Sequence, residues 1–508
     1  MSSSAKFSDS EEGSIAKVDP APAPPAIRSD ALPVIADLVI AVVFALFYLG
    51  ATFTMEKITA CNGFGHDGCN YGAWALDFDT HAFKQKLGTY RIQRCFPSLV
   101  VWGTHKLFHK TPTTASVIRG FQWMNIACVF IGVLCWTKIA RILKVRTLTT
   151  LFGTLALFGT YGVLKFTTWY PVLGDMWGYT FGFAFLYAYL ARRIYIIIPL
   201  AIISAFTWPS AFPLALILLF FWGRRDPPAP APYRLNHLAG VLAAAAWTAF
   251  TLSLVQKQYH PPSVGQVDWI PSLTRLAVLI IFFYFYFAIR ALTDYRPFYN
   301  PLNYLKAFFH PGPYIAFTLL YFVKRYQGKW SVPEPAGFEM WLQDTSIMST
   351  WKPGVFLLAY AVYFGPLIIV FLLRWRHVVE IMKSYGGGIL SIAILGTLFG
   401  VDAEERHGYT FLAIVLPFAL KALDDLDLPA RVIRILAILC VVFSKVYITL
   451  PGDVFGNSWD FPAQAVFMSQ GPWMANTMYL LQGAIVLLVA AWLYWEIKKR
   501  EREKALTA

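Results

Sequence analysis

The sequence predicts an all-α fold: a polytopic bundle of about 12–14 membrane-crossing helices, with interfacial helices in the first extracytoplasmic loop. Three observations lead there. The chain has 508 residues, of which 57% are hydrophobic and only 14% charged, against about 25% charged in ordinary soluble domains. Apolar runs recur from Leu32 to Ile497 with little interruption. Clusters of Lys and Arg fall between alternate runs, as they do on the cytoplasmic side of membrane proteins. A soluble enzyme, a secreted disulfide scaffold and a disordered tail protein are excluded.

Residues 1–31 are rich in Ser, Ala and Pro and have no apolar period, so they are expected to be a disordered cytoplasmic tail. They lack the charged start and cleavage site of a removable signal. The first span is expected over 31–55. Later runs lie near 117–138, 148–166, 176–191, 194–207, 209–222, 237–255, 273–290, 312–324, 354–374, 386–402, 408–423, 431–450 and 476–497. Several are shorter than the ~20 residues an untilted span needs. The pair 194–207 and 209–222, divided at Thr207-Trp208-Pro209-Ser210, reads as a bent hairpin or a kinked helix. The expected organisation is a catalytic core over 32–424 that includes an outer loop at 56–116, then C-terminal spans over 425–497 and a basic tail at 498–508.

The net charge of +14 is explained by anchoring cations rather than by nucleic acid, which is not an expected partner. Lys138, Arg141, Lys144 and Arg146 lie on one side, with Arg192-Arg193, Arg224-Arg225, Arg374, Arg376, Lys383 and the Lys498–Arg502 stretch. With alternating spans this side also holds both termini and is cytoplasmic. Polar residues without an anchoring role then gather on the opposite face. Lys165 and Lys445 are the nearest to in-span cations and are expected to snorkel to an interface. Cys61 and Cys69 share one outer loop and can pair if it faces an oxidising compartment.

Asp67, in His66-Asp67-Gly68-Cys69-Asn70-Tyr71, stands just beyond the first span, where a carboxylate can act as a general base on a hydroxyl. A helix N-cap is the bland reading of the same residue. Arg91 and Arg94 are three apart and share a helical face; their planar forks suit phosphate. The run from Cys95 to Phe108 reads as an interfacial helix. Asp175 ends a short outer turn. Glu404, Glu405, Arg406 and His407 form an outer corner between two spans, where ionisable groups are functional hypotheses. Asp77 and Asp79 have the spacing of a divalent-cation pair, but a solvated loop explains them as well. His105 and His109 lack a third ligand, so no metal and no cofactor is assigned.

In this order the residues resemble the GT-C superfamily of integral-membrane glycosyltransferases, and within it the bacterial enzymes that take sugars from polyprenyl-phosphate carriers. The match is Asp67-Gly68-Cys69-Asn70-Tyr71, then Tyr90-Arg91-Ile92-Gln93-Arg94 with Pro97, then Asp175, then Arg406 before a span containing Pro417. It extends over about residues 33–424. The resemblance implies a GT-C-like core and an inverting transfer from a polyprenyl-phosphate-linked sugar to a glycan or glycolipid acceptor. Asp67 would be the base, and Arg91, Arg94, Arg406 and His407 would bind the donor phosphate. Tyr71, Asp175, Glu404 and Glu405 would contact acceptor or sugar. It implies a bacterial inner-membrane protein, among membrane lipids, with its active site facing the periplasm. The competing class is a secondary transporter or a lipid or polysaccharide flippase. Such proteins place charges near the bilayer midplane in related halves, whereas here the charges lie at one face and no repeat is evident.

Overall fold

In the computed structural model the described residues are 33–222, 229–261, 268–334, 337–448 and 471–507. The tail at 1–31, Arg224-Arg225 and most of the expected outer loop 451–475 lie outside them. Each apolar run is found as a helix or as a broken pair of helices. Among the described residues, five helices are long and apolar enough to cross a membrane, or six if the bent pair Thr147–Phe158 and Tyr161–Trp169 counts as one span. The protein is a helical integral membrane protein. Among the described residues the strand content is one parallel two-residue pair, Leu87–Gly88 with Ser331–Val332.

The breaks between helices follow from local chemistry. Thr113 and Ser116 form a reciprocal cap at the start of Thr114–Ile142, satisfying N–H groups that a helix start leaves unpaired. The next span ends at Phe158, restarts behind the cap of Thr160 on Val163 N, and bends by 52°. Its non-helical turn is tied from outside: Asn125 Nδ2 donates to Phe166 O at 3.0 Å and to Pro171 O at 2.9 Å. Irregular backbone at membrane depth persists only where such partners exist. That turn delivers Tyr170 and Asp175 to one face.

The doubtful pair becomes Ile194–Ser204 and Ala211–Phe220, two short helices packed together as a hairpin. Its tip, with Thr207 and Trp208, sits beside the first loop, where Phe96 N donates to Phe206 O at 2.8 Å. The helix Phe96–Leu107 follows, buried on Pro97, Ser98 and Val101. Pro311–Trp330 rises alongside the hairpin, with Gln327 Nε2 donating to Ala205 O at 2.8 Å.

Lys165 departs from the expectation of snorkelling. It is buried, donates to the Tyr363 hydroxyl at 3.0 Å and lies against the rings of Phe166 and Trp169. Aromatic faces and a phenol hold the ammonium where it stands. Lys445 lies 4.5 Å from the Tyr161 ring centroid. Residues 498–507, expected as a tail, prolong the last helix, Asn476–Thr507, with the i,i+3 pairs Lys498–Glu501 and Arg500–Glu503 along its side.

The Lys/Arg-rich face is stitched by ion pairs. Arg141 forks onto buried Asp37 at 2.8 and 2.9 Å. Arg146 Nε reaches buried Asp424 at 2.8 Å while its other end meets Asp427. Arg500 also takes Asp427, and Arg374 takes Glu501. Carboxylates from the first and late helices thus anchor cations from distant segments to one face, as the alternation of spans requires.

Two helices, Asp175–Leu190 and Tyr409–Asp425, carry site residues at their outer ends and pack closely. Gly182 allows the approach: a Cβ there would lie 2.5 Å from Ala413 Cβ and 2.5 Å from Thr410 O. Small residues bring membrane helices together in this way. Gly182→Ala is therefore expected to lower stability by about 1–3 kcal/mol through overpacking, read as a lower midpoint of thermal unfolding in detergent.

Candidate functional site

Asp67 is placed by a knot of tight turns. Cys61 and Asn62 have positive φ, as do Gly63 and Gly65, and Cys61 is disulfide-bonded to Cys69 with Cα atoms 5.8 Å apart. Gly65 has φ +78°, and a Cβ there would fall 2.1 Å from the Tyr170 ring, so no side chain fits. The Tyr170 hydroxyl accepts from Gly68 N at 3.3 Å. Asp67 occupies the N-cap position of Gly68–Leu76, but its side chain makes no capping bond. It turns outward and meets Arg406, whose Nη2 lies 3.0 Å from Asp67 Oδ2.

Arg406 lies on a one-turn helix, Glu405–Gly408, at the mouth of Tyr409–Asp425. Its Nε also donates to Glu404 Oε1 at 2.5 Å, and its side chain is 13% exposed against 49% for Asp67. His407 Nδ1 lies 2.7 Å from the fully buried Asp402 Oδ2, which also accepts from Trp341 Nε1 at 2.8 Å. The other Asp402 oxygen accepts from Glu404 N at 2.9 Å. Asp402, Trp341 and Tyr170 are thus parts of the site that received no role from the sequence. An Asp at the start of a charged corner and a Trp in the facing loop were visible, but their pairing crosses 61 positions.

Arg94 comes from the opposite wall. It is buried, donates through Nη1 to the Tyr71 hydroxyl at 3.2 Å, and lies between the rings of Tyr90 and Trp208 at 4.5 and 5.0 Å. Its Nε has no acceptor among the described residues. A guanidinium held by rings, with a donor to spare, is prepared for an anion. Arg91, expected on the same face, points elsewhere: it is half-exposed and pairs with Glu334 at 3.1 Å. The segment is a tight 3-10 turn, followed at once by the Phe96–Leu107 helix. Asp175 is completely buried at the first position of its helix, and among the described residues neither carboxylate oxygen has a hydrogen-bond partner. The side chain of Glu405 lies outside the described residues.

The electrostatics are those of a crowded, half-dry cluster. Burial tends to raise the Asp67 carboxyl, but Arg406 and Arg94 outweigh it and hold the group below the usual carboxylate range. Burial pushes Asp175 up despite the pull of Arg406, Arg94 and His407. For His407 burial acts downward, while Asp402 and Glu404 act upward and win. Burial drives the Tyr71 phenol up to about 12, with Arg94 opposing. The resting cluster therefore holds an ionised carboxylate at its mouth and a carboxyl that resists ionisation at its floor.

Asp77 Oδ1 accepts from Thr80 N at 3.1 Å, and Asp79 lies 3.8 Å from Lys106. His105 bonds Ser116 Oγ through Nε2 at 2.8 Å. Among the described residues, no three His, Cys, Asp or Glu side chains are grouped as a metal site would need.

No protein-family model matches the chain, and no curated protein matches it. Among solved structures, the archaeal oligosaccharyltransferase AglB from Archaeoglobus fulgidus, in complex with an inhibitory peptide and a dolichol-phosphate, is similar to it with 14% identity and a TM-score of 0.41. The likeness covers 87% of this chain and 56% of that one, so the chain spans about half the length of the protein it matches.

Two outcomes follow from this geometry. A raised His407 pKa contributes stability below the ordinary value near ~6.5 and loses it as pH climbs through the shifted one. A melting midpoint that falls across that rise, and a flatter profile in Asp402→Asn, are expected. Replacing Cys61 and Cys69 together by Ser is expected to cost about 2–3 kcal/mol and to speed hydrogen exchange across residues 60–76.

Proposed function

We propose that the protein is a GT-C-type membrane glycosyltransferase that moves a sugar from a polyprenyl-phosphate donor to an acceptor hydroxyl, inverting the anomeric carbon. The observation that carries this reading is the convergence of Asp67, Arg406, His407, Arg94 and Asp175 at one outer corner. A cavity of about 310 Å³ opens beside it. The cavity is apolar, reaching from Gly408 and Phe411 past Tyr284 and Phe399 to Ile368 and Trp375. It suits an isoprenoid whose phosphate rests at the charged end.

In this reading Arg406 exchanges partners. At rest it neutralises Asp67; a donor phosphate competes for its guanidinium, and as that contact forms the carboxylate is released toward the acceptor. Arg94 and His407 add positive charge where the phosphate accumulates negative charge as the glycosidic bond breaks. The acceptor hydroxyl gives its proton to Asp67 Oδ2 while its oxygen attacks the anomeric carbon from the face opposite the leaving phosphate. Asp175, whose two carboxyl oxygens have no hydrogen-bond partner among the described residues, takes up a sugar hydroxyl. Tyr71 and Glu404 border the same space, and Arg91 stands outside it. Holding both substrates in line supplies much of the acceleration, up to about 7–11 kcal/mol for well-oriented reactants. The disulfide fits an oxidising compartment, and the ion-paired Lys/Arg face fits the cytoplasm; both support a site on the periplasmic side of a bacterial inner membrane.

The test is transfer by purified Asp67→Asn from a panel of polyprenyl-phosphate sugars. A fall in kcat of about 10²–10⁴-fold with donor binding retained is expected; wild-type turnover with the same donor would remove Asp67 from its role.

A further inference from the structure

Tyr170 is buried in the charged corner and takes no part in the transfer as set out above. It stands where the bent span ends, its ring 6.0 Å from that of Trp169 and 6.3 Å from that of Phe166 between centroids. Its N–H donates to Lys165 O at 2.8 Å, and Trp169 O accepts from Ile58 N at 3.1 Å. From the other side the ring is held by the loop that the Cys61–Cys69 disulfide closes. Two glycines bracket Asp67 there, and both rest on Tyr170. A Cβ would fall 2.1 Å from the ring at Gly65 and 3.2 Å from it at Gly68. The ring is fixed in this cradle, with its hydroxyl under the Asp67 turn, accepting from Gly68 N at 3.3 Å. That bond occupies a lone pair. The phenolic proton itself has no acceptor among the described residues. Asp67 shows the matching gap: among the described residues only Arg406 bonds its carboxylate, at Oδ2, and Oδ1 is open. A buried donor left over is uncommon, and here it adjoins a carboxylate with an oxygen to spare.

We propose that Tyr170 is a positioning residue: when a donor phosphate draws Arg406 away, the phenolic O–H takes Asp67 Oδ1 and keeps Oδ2 turned toward the acceptor hydroxyl. The inference rests on the glycosyltransferase reading and supplies the partner that the released carboxylate then needs. The acceptor proton goes to Oδ2, and the phenolic proton stays on Tyr170. Burial drives that phenol above its ordinary range, with Asp67 pushing the same way and Arg406 opposing. A hydrogen bond to the ionised form lowers a carboxyl pKa, so Tyr170 keeps Asp67 a carboxylate once its counter-ion has turned away. The other charged and titratable groups around the pair are His407 and Glu404 beside Arg406, Arg94 and Tyr71 from the first loop, and Asp175. Tyr170→Phe leaves all of them in place and removes only the O–H.

The experiment uses the full-length protein and Tyr170→Phe, whose ring still fills the cradle, in phosphatidylcholine nanodiscs with and without saturating polyprenyl phosphate. A water-soluble carbodiimide couples to protonated carboxyls, so the pH midpoint of Asp67 labelling, mapped by peptide mass spectrometry, reads its ionisation. Polyprenyl phosphate is expected to raise the wild-type midpoint as Arg406 leaves, and to raise that of Tyr170→Phe by about one pH unit more. Without polyprenyl phosphate the two proteins are expected to titrate alike. In transfer from a polyprenyl-phosphate sugar, Tyr170→Phe is expected to lose about ten- to a hundredfold in kcat with the donor KM unchanged. Its acid limb should move to higher pH by the same unit. Equal midpoints with polyprenyl phosphate bound, or a shift of the same size without it, would overturn the proposal and leave Tyr170 a packing role alone. A wild-type midpoint indifferent to polyprenyl phosphate removes the partner exchange and with it the donor reading. That arm needs no variant, so the two failures are told apart.

Discussion

A single ion pair closes the functional face. Asp67 and Arg406 stand 339 positions apart in sequence and come from walls that share no local structure. Burying Arg406 without carboxylates around it would be costly, because an isolated charge loses its hydration and gains nothing. Glu404 and Asp67 together supply the compensation, and both hold the guanidinium by hydrogen bonds. The nearby His407–Asp402–Trp341 arrangement fixes the same corner from behind. The position of the first loop, the register of the late helix and the charge state of the cavity all follow from satisfying one buried cation.

The two membrane faces use charge differently. On the Lys/Arg-rich face, pairs such as Arg141–Asp37 and Arg146–Asp424 bind helix to helix, and each carboxylate is spoken for. On the site face, Asp175 is fully buried with both oxygens unpaired, and Arg94 retains an unused donor. Unsatisfied buried polar atoms are uncommon and costly. Such atoms also occur elsewhere, Arg374 Nε on the other face among them, but Asp175 leaves a whole buried carboxyl for a polar partner to satisfy.

The helices were legible in the sequence because bilayer crossing imposes length and apolarity, which need no partner to be recognised. The clusters holding Arg146, Arg374 and Arg500 meet through ion pairs on one face, as their spacing between runs predicts. Asp67, Arg94, Asp175 and Arg406 could be named because each interrupts a low-charge chain at a span end. Pairing was harder to see. Arg91 and Arg94 look equivalent in sequence, yet Glu334, brought close by the Leu87–Ser331 strand contact, takes one of them. Lys165 looked free to reach water until Tyr363 and two aromatic rings enclosed it. The break at Thr207-Trp208 reads as a bent hairpin or a kinked helix, and nothing local shows that its indole lies against Arg94. What was missed depends on which distant segments meet, and pattern along the chain carries little of that.

The disulfide between Cys61 and Cys69 sets an order for biogenesis. The loop that presents Asp67 can be crosslinked as soon as it meets an oxidising environment, long before ribosomes have made Arg406. During the rest of insertion the carboxylate waits in a finished loop without its counter-ion. Late arrival of the Glu404–Arg406 corner then supplies the missing partner and completes the face in one step.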